Sequence, residues 1–309
     1  MGILKKIFTD TIYLVAFRET LNDDLLFLVD KNKFELISAP KFSWYADPML
    51  FEYNRKLWLF VERMDQWNHK GVISAAMYDN GRFSRFIDVL EEPFHLSYPM
   101  IFEKDGVIYM IPETGDTNSI RLYRCSEFPD KWIYEGILAE GYKFVDTNII
   151  HIKDEWFLIT GVMDKKMGAS TRMIIYSANN IENLNITQIS ELSGSCEFSF
   201  DKRGGGQIFQ WRNKYLRPAQ CGDESTYGKN VKIYDFSISK SSFNEECISV
   251  IDKTKISLDK NICITGTHTY GYKNGLEVVD LKVCVLANPV LQIRKILRKL
   301  RCLLNDLFK

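Results

Sequence analysis

DPMLFEYNRKLWLF, residues 47–60, reads as an apolar strand, a polar turn and an aromatic-rich strand, and the pattern recurs four more times along the chain. The further copies are YPMIFEKDGVIYMI (98–111), DTNIIHIKDEWFLI (146–159), GGQIFQWRNKYLRP (205–218) and THTYGYKNGLEVVD (267–280). Their openings fall roughly fifty to sixty residues apart, about one four-stranded propeller blade each. Asp79-Asn80-Gly81, Lys104-Asp105-Gly106 and Lys273-Asn274-Gly275 supply the residues that accept the positive φ of tight hairpin turns. The expected fold is all-β: a five-bladed β-propeller over residues 1–287, with repeats opening near 47, 98, 146, 205 and 267. Short β-rich runs at 72–78, 120–125, 173–177 and 231–238 supply further strands of the blades. Runs at 11–17, 25–29 and 34–37 are expected as outer strands, or as the strand that closes the ring.

The 309 residues, 46% hydrophobic and 13% aromatic, suffice for one propeller with a large core and no second domain. With 40 basic and 40 acidic residues and no basic stripe within the repeats, nucleic acid is not an expected partner. Seven cysteines without CxxC pairs fit reduced thiols in the cytosol. The N-terminus lacks the pattern of a secretory signal, and nowhere do eighteen apolar residues run together.

From 288 to 309 the rhythm changes. Val290, Ile293, Ile296, Leu297, Leu300, Leu303, Leu304 and Leu307 recur at helical steps, Arg294, Lys295, Arg298, Lys299 and Arg301 fill positions between them, and Pro289 suits a first turn. This predicts a basic amphipathic α-helix. It has the composition of a helix lying on an anionic membrane surface, which would make the protein cytoplasmic and peripheral at the inner face of the cell membrane. Packing of its leucines on the propeller, or on another protomer, is the other reading.

The innermost strand of each blade starts near one mouth of the central channel, so residues opening the repeats are expected to converge. Asp47 follows Trp44 and Tyr45, rings that could stack on a sugar while the carboxylate approaches a hydroxyl; Asp before Pro is also a common turn former. Glu62 ends the paired strand, with a site role or an ion pair to Arg63 or Arg203 as its two readings. His95, Tyr98 and Glu113 surround the second opening, where an imidazole beside a carboxylate suits proton transfer, sugar binding or architecture. Asp146 opens the third repeat as Asp47 opens the first, and two carboxylates across a channel are what glycoside cleavage uses. The fourth opening offers Arg203 and three glycines, a guanidinium fork suited to phosphate or carboxylate, with Arg217, Gln220 and Tyr227 beyond. The fifth adds His268. The expected catalytic set is Asp47, Glu113 and Asp146; the expected substrate-binding set is Trp44, Glu62, His95, Tyr98, Arg203, Arg217, Gln220, Tyr227 and His268. No cofactor and no metal is expected, a His/Asp metal site being the minor reading because His69, His95, His151 and His268 show no close ligand spacing.

The ordered series ADP (46–48), FVE (60–62), HLSYP (95–99), MIPET (110–114), VDTN (145–148), RGGG (203–206), RPAQ (217–220), YGKNV (227–231) and THTY (267–270) resembles the propeller domain found N-terminal in glucosamine inositolphosphorylceramide transferases. More remotely the chain is similar to five-bladed arabinanase- and xylosidase-type glycosidases, in which acids at three blade openings act as base, pKa modulator and general acid. The resemblance implies Asp47 as base and Asp146 as modulator. It assigns no clear acid: Arg203 stands where a glutamate would open the fourth blade, with Glu197 and Glu113 as substitutes. It implies a carbohydrate-active propeller in cell-surface polysaccharide or glycolipid biosynthesis, taking a carbohydrate, nucleotide sugar or lipid-linked sugar. Glycosyl transfer is the first expectation, a non-catalytic glycan-binding scaffold for a partner glycosyltransferase the alternative, and glycoside hydrolysis the third.

Overall fold

The computed structural model describes residues 8–20, 24–29, 32–164, 166, 170–178, 187–188, 198–223 and 226–307. Five sheets, antiparallel except for one edge pair of the fifth, form the five blades. Blade 1 runs outward through Ser43–Tyr53, Lys56–Asp65, Lys70–Asp79 and Arg82–Phe83, with Ile87–Leu90 also on its third strand. Blade 2 comprises Ser97–Lys104, Val107–Glu113, Ser119–Glu127 and Lys131–Glu140; blade 3 comprises Lys143–Ile152, Glu155–Met163, Thr171–Ala178 and Thr187–Gln188. Blade 4 is Phe209–Trp211, Lys214–Asp223, Thr226–Ser239 and Ser242–Ile251.

Blade 5 closes the ring. Ile264–Gly266 and Tyr270–Lys273 pair with Leu276–Leu286, which pairs along its whole length with the N-terminal strand Thr9–Glu19. Asn32–Leu36 follows, with Ile256–Leu258 parallel at the edge. The run expected as a strand at 25–29 is instead a turn, because Leu25, Leu26 and Phe27 all point into the core and cannot alternate as a half-buried strand would.

Strand alternation explains the packing. Each sheet is apolar on both faces, so successive residues of one strand serve opposite neighbours: Ile101 and Met110 pack toward blade 1, Met100, Phe102 and Ile111 toward blade 3. The buried apolar residues form five clusters, one at each of the five interfaces between blades. The ring closure is also locked by charge. Glu277, fully buried, accepts from Arg18 Nε at 2.5 Å, from the Tyr270 hydroxyl at 2.6 Å and from the Leu26 N–H at 2.6 Å. Glu277→Ala is expected to cost about 3–5 kcal/mol, since it removes the shared acceptor of the Arg18, Tyr270 and Leu26 donors inside the core; guanidinium denaturation of the variant measures this, and an unchanged midpoint would refute the lock.

The C-terminal helix, Pro289–Leu307, is fixed to the propeller by buried Leu291, by Gln292 and Lys295 on Asp10, and by Arg294 on Trp67. Ile293, Ile296, Leu297 and Leu300 face outward, so the described part of the apolar stripe does not pack on the propeller. No described helix is long and apolar enough to cross a membrane.

Candidate functional site

The first three blades open on the same backbone device. Between Ala46 and Met49, Ser97 and Met100, and Val145 and Asn148, two residues of the innermost strand oppose one of its partner, a β-bulge. The first bulged residue is left-handed each time: Asp47 at φ 49°, Tyr98 at φ 47° and Asp146 at φ 49°. Asp tolerates this conformation; for Tyr it is a strained outlier of about 1–3 kcal/mol. The bulge sets the Asp47 carboxylate between Tyr98 and Thr269, and the Asp146 carboxylate against Arg203 and Gln220. Tyr98 is held differently, its hydroxyl donating to the Gly206 carbonyl at 2.7 Å and accepting from Gly206 N–H at 3.0 Å and Asn148 Nδ2 at 2.8 Å.

Carboxylates stitch neighbouring blades through these bulges. Asp280 accepts the Asp47 N–H at 3.2 Å, Asp47 the Tyr98 N–H at 3.2 Å, and Glu113 the Asp146 N–H at 3.3 Å. Glu62 and Glu113 each stand fifteen residues after their bulge residue, and Gln220 fifteen after Gly205, on the second strand of the blade. Asp47, Glu62 and Glu113 line one cavity of about 470 Å³ at the channel mouth, walled by Tyr13, Trp44 and Tyr227. A larger groove of about 960 Å³ lies between blades 5 and 1, around Tyr45, Phe83 and Phe86, apart from these acids. The smaller cavity holds the chemistry.

Burial drives its electrostatics. It pushes the Asp47 carboxyl up to about 6: His268 lowers it, Asp146 and Asp280 raise it further, and the Thr269 hydroxyl at 3.0 Å lowers it. Burial, reinforced by Asp47 and Glu113, drives Glu62 well above the carboxylate range. It pushes Asp146 to about 7, because the Arg203 guanidinium offsets only part of the cost and Glu113 adds repulsion. For His268 burial disfavours the charge, yet Asp280 at 2.5 Å wins and raises its pKa. His95 is pushed down by burial; its Nδ1 accepts the Gly71 N–H at 2.9 Å, which leaves the proton on Nε2, 3.4 Å from Glu62.

Several expected partnerships change. The carboxylate beside His95 is Glu62, not Glu113, and Arg63 grips Asp88 through two bonds of 2.7 Å instead of pairing with Glu62. Arg203 reaches the cavity wall with its guanidinium on Asp146 and Glu113 and its face 5.1 Å from the Tyr227 ring. Gln220 donates to Asp146 at 2.8 Å. Arg217 is not brought to the cavity: it is buried in blade 4 on Glu245 at 2.7 Å and over Tyr234. Glu197 lies outside the described residues.

Sequence reasoning missed Tyr13, stacked 4.3 Å from His268, and Asp280, which binds the His268 and Thr269 N–H groups at 3.1 and 2.9 Å. Tyr13 comes from the ring-closing strand, so nothing in the repeats announces it. Asp47, His268 and Asp280 are the described cluster close enough to hold a metal, within 4.8 Å of one another. The contact of His268 Nδ1 with Asp280 and the backbone donors on that carboxylate are those of an ion pair.

The five-bladed ring is a fold that glycoside hydrolases also adopt. Among solved structures of that fold, a family 117 glycoside hydrolase of Zobellia galactanivorans matches with TM-score 0.53 at 12% identity, over 90% of this chain and 91% of that one. The catalytic domain of the family 62 α-L-arabinofuranosidase of Coprinopsis cinerea matches with TM-score 0.52 at 9% identity, over 77% and 90%. The chain belongs to the family described as glucosamine inositolphosphorylceramide transferase 1, N-terminal, matched over residues 36–264. Glucosamine inositolphosphorylceramide transferase 1 of Oryza sativa subsp. japonica is 30% identical over 200 residues, and that of Arabidopsis thaliana 30% identical over 211. These alignments cover 62% and 66% of this chain but 26% and 27% of the relatives, so the chain spans about a quarter of their length.

Proposed function

We propose that this propeller handles a glycan in the axial cavity during assembly of cell-surface polysaccharide or glycolipid, in a glycosyl-transfer step at the cytoplasmic face of the membrane. The observation that carries the reading is the gathering of Asp47, Glu62 and Glu113 around one aromatic-walled cavity. Carboxyl groups suit sugar hydroxyls, accepting when ionised and donating as well when protonated, and Trp44 and Tyr13 offer flat faces to a sugar ring. Asp47, held by two backbone contacts and Thr269, is the base. Asp146 and Glu113 support it, and Trp44, Glu62, His95, Tyr227 and His268 bind. The basic helix with its outward apolar stripe supports attachment to an anionic membrane. The partner is a sugar nucleotide or lipid-linked sugar, and a separate glycosyltransferase is the protein partner.

One observation favours a second reading. Arg203 occupies both Asp146 and Glu113, two of the three expected acids, which suits binding or transfer and counts against hydrolysis. Calorimetric titration with sugar nucleotides and short glycans tests the site, and incubation of donor with acceptor tests transfer. Trp44→Ala is expected to weaken glycan binding about tenfold or more. Binding that ignores this change would place the ligand elsewhere, and binding without turnover for every donor and acceptor pair would leave the scaffold reading.

A further inference from the structure

The helix does not merely hang from the propeller: it grips the turn that forms the cavity rim. Arg294 donates from Nε to the Trp67 carbonyl at 2.6 Å and from Nη2 to Asn68 Oδ1 at 3.4 Å, while its guanidinium lies 4.0 Å from the Trp67 ring centroid. Two residues on, His69 lines the axial cavity. Its pKa is lowered by burial first and then by the charges of Arg298 and Lys295, so the helix cations stand close to the rim. Phe42 packs 6.0 Å from Trp67, and Lys41 sits over Phe42 at 4.9 Å.

We propose that the outward face of the helix and the Trp67 rim form a single membrane-docking surface, which holds the mouth of the axial cavity against an anionic bilayer. This rests on the membrane-surface part of the reading above and adds the orientation. The four outward residues Ile293, Ile296, Leu297 and Leu300 give the depth of an interfacial helix, with Leu286 and Phe8 also exposed close to its start. Between Pro289 and Asn305 the sequence has five basic residues and no acidic one. That charge selects the occupant: a second copy would bring basic helix against basic helix, whereas anionic headgroups neutralise them. Aromatic and basic residues at the rim are the types that settle at the headgroup level.

The test uses the full chain with vesicles of phosphatidylcholine, with and without phosphatidylglycerol. Sedimentation is expected with the anionic vesicles, weakened by salt, and reduced at least tenfold in the double variant Ile293→Glu, Leu297→Glu, which keeps every contact of the helix with the propeller. Vesicles carrying brominated acyl chains should quench tryptophan fluorescence, and Trp67→Phe, which retains a ring under Arg294, should remove most of that quenching. Sedimentation with unchanged quenching in Trp67→Phe overturns the orientation while leaving membrane attachment standing. No sedimentation, or a parent dimer that the double variant dissociates, overturns both. Asp47→Asn should bind vesicles as the parent does, so failure of the glycan site leaves this result intact.

Discussion

Gly206→Ala is expected to destabilise the protein by about 4 kcal/mol or more, because no neighbour can yield to the added carbon. A Cβ there would lie 1.9 Å from the Tyr270 carbonyl oxygen and 2.9 Å from its carbon, backbone atoms of the innermost strand of blade 5. The residue also sits at φ 131°, a conformation L side chains rarely adopt. Its N–H and carbonyl both bond the Tyr98 hydroxyl, and the carbonyl takes a second bond from Asn148 at 3.2 Å. The substitution therefore separates blades 4 and 5 and frees the strained Tyr98 of blade 2 at once. Gly81→Ala is the comparison: at φ 81° with nothing within 4 Å, it strains only its own turn, at about 1–2 kcal/mol. Chemical denaturation of the two variants should separate their midpoints clearly. Equal midpoints would mean that blade 4 yields more readily than its packing indicates.

The repeat was legible because each hairpin had to carry apolar residues on both faces, and that requirement writes itself into every copy. Asp47 and Asp146 were legible for a related reason: the bulge needs a residue tolerant of left-handed backbone, so polar residues fall at the opening. Tyr98 shows where that reasoning stops. Its register matches the two aspartates, yet its long ring carries the hydroxyl past the cavity wall to Gly206. The partners of Arg203 lie in other blades, 57 and 90 positions away, and that of Arg217 lies two strands out in its own blade, 28 positions away, separations that no local pattern encodes. Asp280 left a trace, an acid on the second strand like Glu62 and Glu113, but the fifth repeat is irregular there: two short strands share one partner. Tyr13 left none. The outward turn of the helix was equally hidden, since amphipathicity fixes which residues share a face and not what that face meets.

Asp47→Asn is expected to lower glycosyl turnover by about 10²- to 10⁴-fold, the range for loss of a positioned base. Glycan affinity should hold, because the amide oxygen can still accept from the Tyr98 N–H while the amide NH2 donates to the Thr269 hydroxyl, which accepts as well as donates. The parent should lose activity as pH falls through about 6, where Asp47 takes up a proton. Stability moves the other way. The carboxyl's pKa lies above its value of 3.8 in the unfolded chain, so the folded state binds the proton more tightly. Its contribution is fully present below about pH 4 and is lost as pH rises through about 6. At pH 8 the buried charge, with the attraction of His268 already included, costs the parent about 3 kcal/mol, and the neutral amide removes that cost. Asp47→Asn should thus unfold at higher denaturant than the parent at pH 8 and show no such gain at pH 4. A variant that loses turnover and gains stability in that window has a carboxylate kept for chemistry at the expense of the fold. One that loses stability at pH 8 shows instead that Asp47 is there to hold blades 5, 1 and 2 together, and the site is then a binding cavity.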